Sequence, residues 1–202
     1  MTMKEVNVRK QRIIDAAILV MQENPMEEVT VRKIATQAGL TTGAIYHHYK
    51  NKDELLFDVM KQSLQFTHRL AESVKNENHK KGRELLDEIV AEVGKRLSKS
   101  EEQKLYILLL MDTVARNHPV KKKYKENYHA IIDNTAQLFE ESFGLKNEKY
   151  QRNVAALLVA AMDGVAIQQA LNVLPDSQER MTETFVSFFR ESIPTYLTNH
   201  RD

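Results

Sequence analysis

The chain has 202 residues, of which 42% are hydrophobic and 28% charged, with a formal net charge of +1, the profile of a soluble globular protein with one large helical unit or two small domains. It has no cysteine, which excludes a disulfide framework, a cysteine metal site and a thiol nucleophile, and fits a reducing cytoplasm as the expected location. The opening MTMKEVNVRKQR carries no apolar signal core, and no uninterrupted apolar run reaches the roughly 18 residues that span a bilayer, so no membrane partner is expected.

In chain order, the spacing predicts a first helix over residues 7–23, with Ile13, Ile14, Ala17, Ile18 and Met21 inward and Asn24-Pro25 as its end. Val31, Ile34, Ala35 and Ala38 then mark one face of a second helix, with Thr30 as N-cap and Gly39 placed where a chain leaving a helix needs positive φ. Thr41 can cap a short third helix over 42–49, with Ala44, Ile45 and Tyr49 inward. Two short helices joined by a tight glycine-containing turn make a helix-turn-helix, and the small polar lead of Thr41, Thr42 and Gly43 lets the second lie close to bases and phosphates. Asn51-Lys52-Asp53-Glu54 reads as a capping box at the next helix, whose N-terminus, with Lys52 at its first position, suits a phosphate.

Net charge does not mark a nucleic-acid binder: residues 1–56 hold eight Lys/Arg and seven Asp/Glu. Charge placement carries the argument instead. Arg9, Lys10 and Arg12 cluster, Arg32 and Lys33 open one helix, and Lys50 and Lys52 flank another, while Glu23, Glu27 and Glu28 fall at the far end of the first helix.

The run from Gly39 to Leu55, GLTTGAIYHHYKNKDEL, closely resembles the signature of the TetR family of bacterial transcriptional repressors, with Tyr49 where the family usually has phenylalanine. The resemblance covers about the first quarter of the chain. It implies an all-α fold of about nine helices, with a DNA-binding head over residues 1–51 and a ligand-binding and dimerisation body over 52–202. It also implies that Thr30, Arg32, Thr41, Thr42, Gly43, Tyr46 and His47 meet double-stranded DNA, that Lys52 holds phosphate, and that His48 packs or caps.

The fourth helix is expected over 52–74, with Leu56, Val59, Met60, Ser63, Phe66, Leu70 and Val74 along one side, joining head to body, and a polar loop follows to residue 82. A fifth helix over 83–97 is patterned by Leu85, Leu86, Ile89, Val93 and Leu97. Ser100 to Gln103 reads as a capping box for a sixth, LYILLLMDTVAR, apolar on most sides and so expected deep in the core before Asn117-His118-Pro119 breaks it. The seventh carries Tyr124, Tyr128, Ile131, Ile132, Thr135, Leu138, Phe139 and Phe143, and Gly144 stops it.

The eighth, over 148–173, is apolar nearly all round, interrupted by Asp163 and Gly164, and calls for cover on two sides, most economically from a second copy. Gly164 suggests close helix approach. Asp176 with Glu179 caps the last helix, whose stripe is Met181, Phe185, Phe188, Phe189, Ile193 and Tyr196, with Pro194 bending or fraying its end. The resemblance implies that the last two helices pair with their symmetry mates in a homodimer, through Leu157, Ala161, Val165, Phe185, Phe188 and Phe189.

Phe66, Tyr106, Met111, Tyr124, Tyr128 and Met162 are first of all core residues, but the tyrosine hydroxyls leave room for an amphipathic pocket for an apolar or aromatic ligand, with Asp112 as a candidate charged member; a cationic ligand is favoured instead if Asp112 or Asp163 faces that pocket. His129 and Asp133, at i and i+4, lack a third ligand and read as a polar edge. Asp112 and Asp163 inside apolar runs want partners. No nucleophile elbow, phosphate loop or metal motif appears, so neither an enzyme nor a cofactor is expected. The expectation is a cytoplasmic homodimeric repressor released from a pseudo-palindromic operator by a small hydrophobic effector. The alternative is a constitutive or protein-partnered DNA-binding regulator.

Overall fold

The computed structural model describes residues 3–63, 82–115, 120–144 and 148–200. The described residues are all-α, as expected, with nine α-helices, one 3-10 turn and no strand. The helices are α1 (Met3–Glu23), α2 (Val31–Ala38), α3 (Thr42–Tyr46), α4 (Lys52–Ser63), α5 (Arg83–Leu97), α6 (Ser100–Ala115), α7 (Lys121–Phe143), α8 (Glu148–Ala170) and α9 (Gln178–Asn199), with the 3-10 turn at Met26–Glu28. The expected reach of the fourth helix past Ser63 with Phe66, Leu70 and Val74, most of the loop after it, and the break at Asn117-His118-Pro119 lie outside the described residues.

By contacts the described residues form two compact units: 3–63 with 108–124, and 82–107 with 125–200. In the first, α1 packs on α2 and α4, and α2 on α3. Its core holds the predicted Ile13, Ala17, Ile34, Ile45 and Met60, joined by Leu55, all but sealed from solvent. Each turn is closed by local chemistry. Thr30 Oγ1 accepts the Lys33 amide at 3.2 Å, and Gly39 sits at φ 60°, ψ 39°, with the Leu40 amide reaching back to Ala35 O at 2.9 Å. Only a residue without Cβ takes that turn freely, and a Cβ there would also stand 2.7 Å from Arg12 Nη2.

In the second unit α5 packs on α8 and α9, and α9 on α8. Leu86, Val90, Leu97, Phe139, Ala155 and Leu158 lie at its centre. The α5–α9 approach is close at Gly94, where a Cβ would meet Val186 Cγ2 at 3.0 Å. The end of α5 is capped from afar, as Leu97 O accepts Gln169 Nε2 at 3.1 Å and Gln178 Nε2 at 3.0 Å.

Several expectations are corrected here. Gly164 is not a close-approach glycine, since a Cβ built there meets nothing within 4 Å among the described residues. Ser100 lies inside α6, whose start is set by Lys99 O accepting the Gln103 amide, so the capping box does not form. The sixth helix is not buried all round: Leu108, Met111 and Val114, three residues apart, form an exposed stripe. The N-cap of α9 is Ser177, one residue beyond Asp176, because its hydroxyl is the group that reaches the Arg180 amide. Pro194 does not end α9, which continues to Asn199. Tyr150–Ala170, with a mean hydropathy of 1.3 over 21 residues, is long and apolar enough to cross a membrane. Val154, Ala155, Leu158 and Met162 of that stretch are instead core residues of the second unit.

Candidate functional site

The first site is the outer edge of α3 and the start of α2. Thr41 caps α3 by accepting the Ala44 amide at 3.2 Å, which sets where the helix begins. With Ile45 and Tyr49 turned inward, Thr41, Thr42, Gly43, Tyr46 and His47 are exposed together, and Thr30 and Arg32 are exposed at the head of α2. His48 is half-buried, and burial first, then His47, Arg9 and Lys10, push its pKa below the usual histidine range.

The basic face is narrower than the sequence suggested. Lys33 is turned toward the acidic end of α1, bound to Asn24 Oδ1 at 2.7 Å and Glu28 Oε2 at 2.9 Å. Lys10 pairs with Asp58 and lies over the Tyr49 ring, 5.4 Å from its centroid. Tyr49 thus gives the usual phenylalanine position a hydroxyl beside Asp58, and burial and that carboxylate push its pKa up. Lys52 is half-buried with Nζ on Val29 O at 3.1 Å, so it ties the start of α4 to the 3-10 turn while standing at the helix N-terminus.

The capping box at α4 forms with a variation. Asn51 Oδ1 accepts the Glu54 amide at 2.9 Å, and Glu54 Oε2 accepts the amide of Lys50, one residue before the cap. The other oxygen, Oε1, takes Lys123 Nζ of α7 at 2.8 Å, and that ion pair with the Lys50 amide pulls the Glu54 pKa down. Phe57 meets the edge of Tyr124 at 5.2 Å in the same place. The first turn of α7 is therefore docked on the first turns of α4 by one ion pair and one aromatic pair.

The second site lies in the other unit. Tyr106 of α6 donates to the Tyr128 hydroxyl of α7, and Tyr128 donates to Asp163 Oδ2 of α8 at 2.6 Å. Arg96 of α5 lies over the Tyr106 ring, 5.1 Å from its centroid. Burial pushes the Asp163 carboxyl up, against the Tyr128 hydroxyl and the Arg96 charge, and it pushes Tyr106 and Tyr128 up as well.

The structure thus brings Tyr106 and Tyr128 together and sets Met162 in the core beside Asp163, whereas Met111, Asp112 and Tyr124 belong to the first unit and Phe66 lies outside the described residues. Arg96 and Gln103 were not foreseen. Nothing local marks them, because their burial depends on helices brought together from far along the chain. His129 and Asp133 are spanned by Arg152, 3.3 Å from His129 Nδ1 and 2.7 Å from Asp133 Oδ1, a surface ion pair. Of the residues expected at a dimer seam, Leu157 and Phe188 are 65% and 60% exposed, Ala161 and Phe189 are half-buried, and Val165 and Phe185 are buried in the core.

An all-helical chain whose short α3 offers a polar, small-residue edge beyond a left-handed glycine turn falls in the class of helix-turn-helix DNA-binding proteins. Residues 13–59 match the bacterial regulatory proteins of the tetR family. A fatty acid metabolism regulator protein of Bacillus subtilis (strain 168) is 40% identical over 74 residues, 36% of this chain and 38% of that one. The transcriptional regulator BetI of Klebsiella pneumoniae (strain 342) is 35% identical over 72 residues, 36% of this chain and 35% of that one. The chain thus matches little more than a third of the length of these curated relatives. Across the fold, the transcriptional regulator FadR of Bacillus subtilis, solved with stearoyl-CoA, superposes with a TM-score of 0.70 at 21% identity, covering 90% of this chain and 97% of that one.

Proposed function

We propose that this protein is a homodimeric transcriptional repressor that binds a pseudo-palindromic operator through residues 1–51 and is released by a small, largely apolar effector held in residues 52–202. The observation that carries the DNA reading is the exposed edge of Thr41, Thr42, Gly43, Tyr46 and His47 on a helix whose start and entry turn are fixed by caps. In this reading Thr42 and His47 read bases, while Thr30, Arg32 and Lys52 hold phosphates and set the register.

Dimerisation is supported by the apolar side chains that α8 and α9 leave in water, Leu157 and Phe188 first among them. Two heads on a two-fold axis ask for half-sites about 34–36 Å apart, or a multiple. The effector reading draws on the stearoyl-CoA bound by the FadR relative and on the polar chain Tyr106–Tyr128–Asp163 set in an apolar body. An effector can shift head spacing only by its differential affinity for two states, and roughly 1–3 kcal/mol would change operator affinity about 5–150-fold.

Selection from random DNA tests the reading. Wild type should enrich a two-fold site. His47→Ala should relax preference at one position of each half-site, while Lys52→Ala should weaken all sequences alike and lower the salt slope by about one. Phe188→Glu should give monomers in light scattering and lose operator affinity. No enriched sequence, or a monomeric wild type at micromolar concentration, would overturn the proposal.

A further inference from the structure

Around Tyr106 the second unit leaves several buried donors without an acceptor among the described residues. Arg96 Nε and Nη2 are sealed from solvent with no hydrogen-bond partner among the described residues, and so is Gln103 Nε2, on a residue only 1% exposed. Gln103 stands three positions before Tyr106, on the same side of α6. Stacking over the Tyr106 ring engages the face of the guanidinium, but the Nε and Nη2 N–H bonds lie in the guanidinium plane and stay unspent. Buried donors of this kind cost stability unless an acceptor meets them.

The one carboxylate of the cluster does not supply it. Asp163 Oδ2 takes the Tyr128 hydroxyl, and Tyr128 in turn takes that of Tyr106, so the chain of donors ends on Asp163. Around Asp163 the same face of α8 is carbon, with Val159 four residues before and Ala166 three after, both buried, and Met162 beside it.

We propose that Arg96, Gln103 and the Tyr106–Tyr128 pair seat the head of an apolar effector that carries a carboxylate or a comparable oxygen acceptor, with its hydrocarbon against the α8 carbon face. This rests on the effector-responsive reading above and adds the ligand's polarity to it. A cationic head is disfavoured because it would meet the Arg96 charge. An acceptor head turns three idle donors into hydrogen bonds, two of them charge-assisted.

Three probes with one twelve-carbon chain separate the heads: laurate, dodecanol and dodecylamine, each titrated by calorimetry into the full-length wild type. Laurate should bind more tightly than dodecylamine by about tenfold or more, the range of a charge-assisted hydrogen bond. Arg96→Met keeps the stem's packing and removes the fork. It should bring laurate down to the level of dodecanol and leave dodecanol binding unchanged. Arg96→Lys should restore only part of the loss, since a point charge lacks the planar fork. Circular dichroism on each variant separates a lost head-group seat from a lost fold.

Equal binding of laurate and dodecylamine, laurate binding that ignores Arg96→Met, or no binding of any of hexanoate, laurate and stearate would overturn the seat. Operator release is read separately on the selected DNA. Arg96-dependent laurate binding without release would support the seat and remove the switch. Release by dodecanol and laurate alike, indifferent to Arg96, would keep the switch and overturn the seat.

Discussion

The two units of this chain solve their polar bookkeeping in opposite ways. In the first unit the caps that begin α2, α3 and α4 are made a few residues away: Thr30 to Lys33, Thr41 to Ala44 and Asn51 to Glu54. In the other unit contacts reach across the chain, from Gln178 to Leu97 and from Tyr128 to Asp163, and some donors, as at Arg96, are left without a partner among the described residues. A head that presents one surface to a regular duplex is specified best by short-range caps that fix helix starts. The other unit keeps polar groups inside and leaves part of their demand unmet among the described residues.

The largest test of that difference is a volume change in the body. Phe139 is fully buried among Leu86, Leu138 and Leu158, and nothing local substitutes for it. Phe139→Ala should cost about 3–5 kcal/mol by urea denaturation. A loss under about 1 kcal/mol would mean the body is loosely filled and that its packing does not set its stability.

A backbone change in the head should cost less, and for a different reason. Gly39 holds φ 60° and its missing Cβ leaves room for Arg12. Gly39→Ala should cost about 1–2 kcal/mol through left-handed strain, with operator affinity falling as α3 is re-aimed. Unchanged stability with unchanged binding would show that the turn relaxes freely, and the contrast between a locally specified head and a packed body would lose its first half.

This contrast also explains what could be read from the sequence. The caps, the glycine turn and the boundary residues of α2 were legible because each is a short pattern with a local cause, and Gly39 took the left-handed conformation expected of it. The inward faces of α1 and α7 were legible from periodicity. Gly164 was misjudged because a glycine in an apolar helix has two causes that look alike in sequence, and the close approach belongs to Gly94, whose partner Val186 is 92 positions away. Ser100 failed as a cap because Lys99 O had already begun the helix. Arg96, beside Lys95 in the last turn of α5, is half-buried with its guanidinium over the Tyr106 ring, a partner on the next helix that no short pattern marks.

The smallest effect is a difference of sign between two carboxylates. Glu54 is pulled below its ordinary pKa by Lys123 and the Lys50 amide, so its contribution to stability is present above the unfolded glutamate range and disappears as pH falls through the lowered folded value. Asp163 is pushed up by burial, so the folded protein keeps that proton to higher pH, and stability declines as pH rises from the unfolded aspartate range to the raised value. Glu54→Gln should therefore be less stable than wild type near neutrality, and Asp163→Asn, which still accepts from Tyr128, more stable. Both gaps should close in acid, where wild type is protonated at either site. The Glu54 gap is the smaller, because an ion pair at the surface is screened by solvent and salt. Thermal midpoints of the three proteins across about pH 3 to 8 would read both signs. If Asp163→Asn were the less stable protein at neutral pH, the Arg96 charge would outweigh burial. The body would then hold a settled ion pair, and the guanidinium would be spent on Asp163 rather than kept for a ligand.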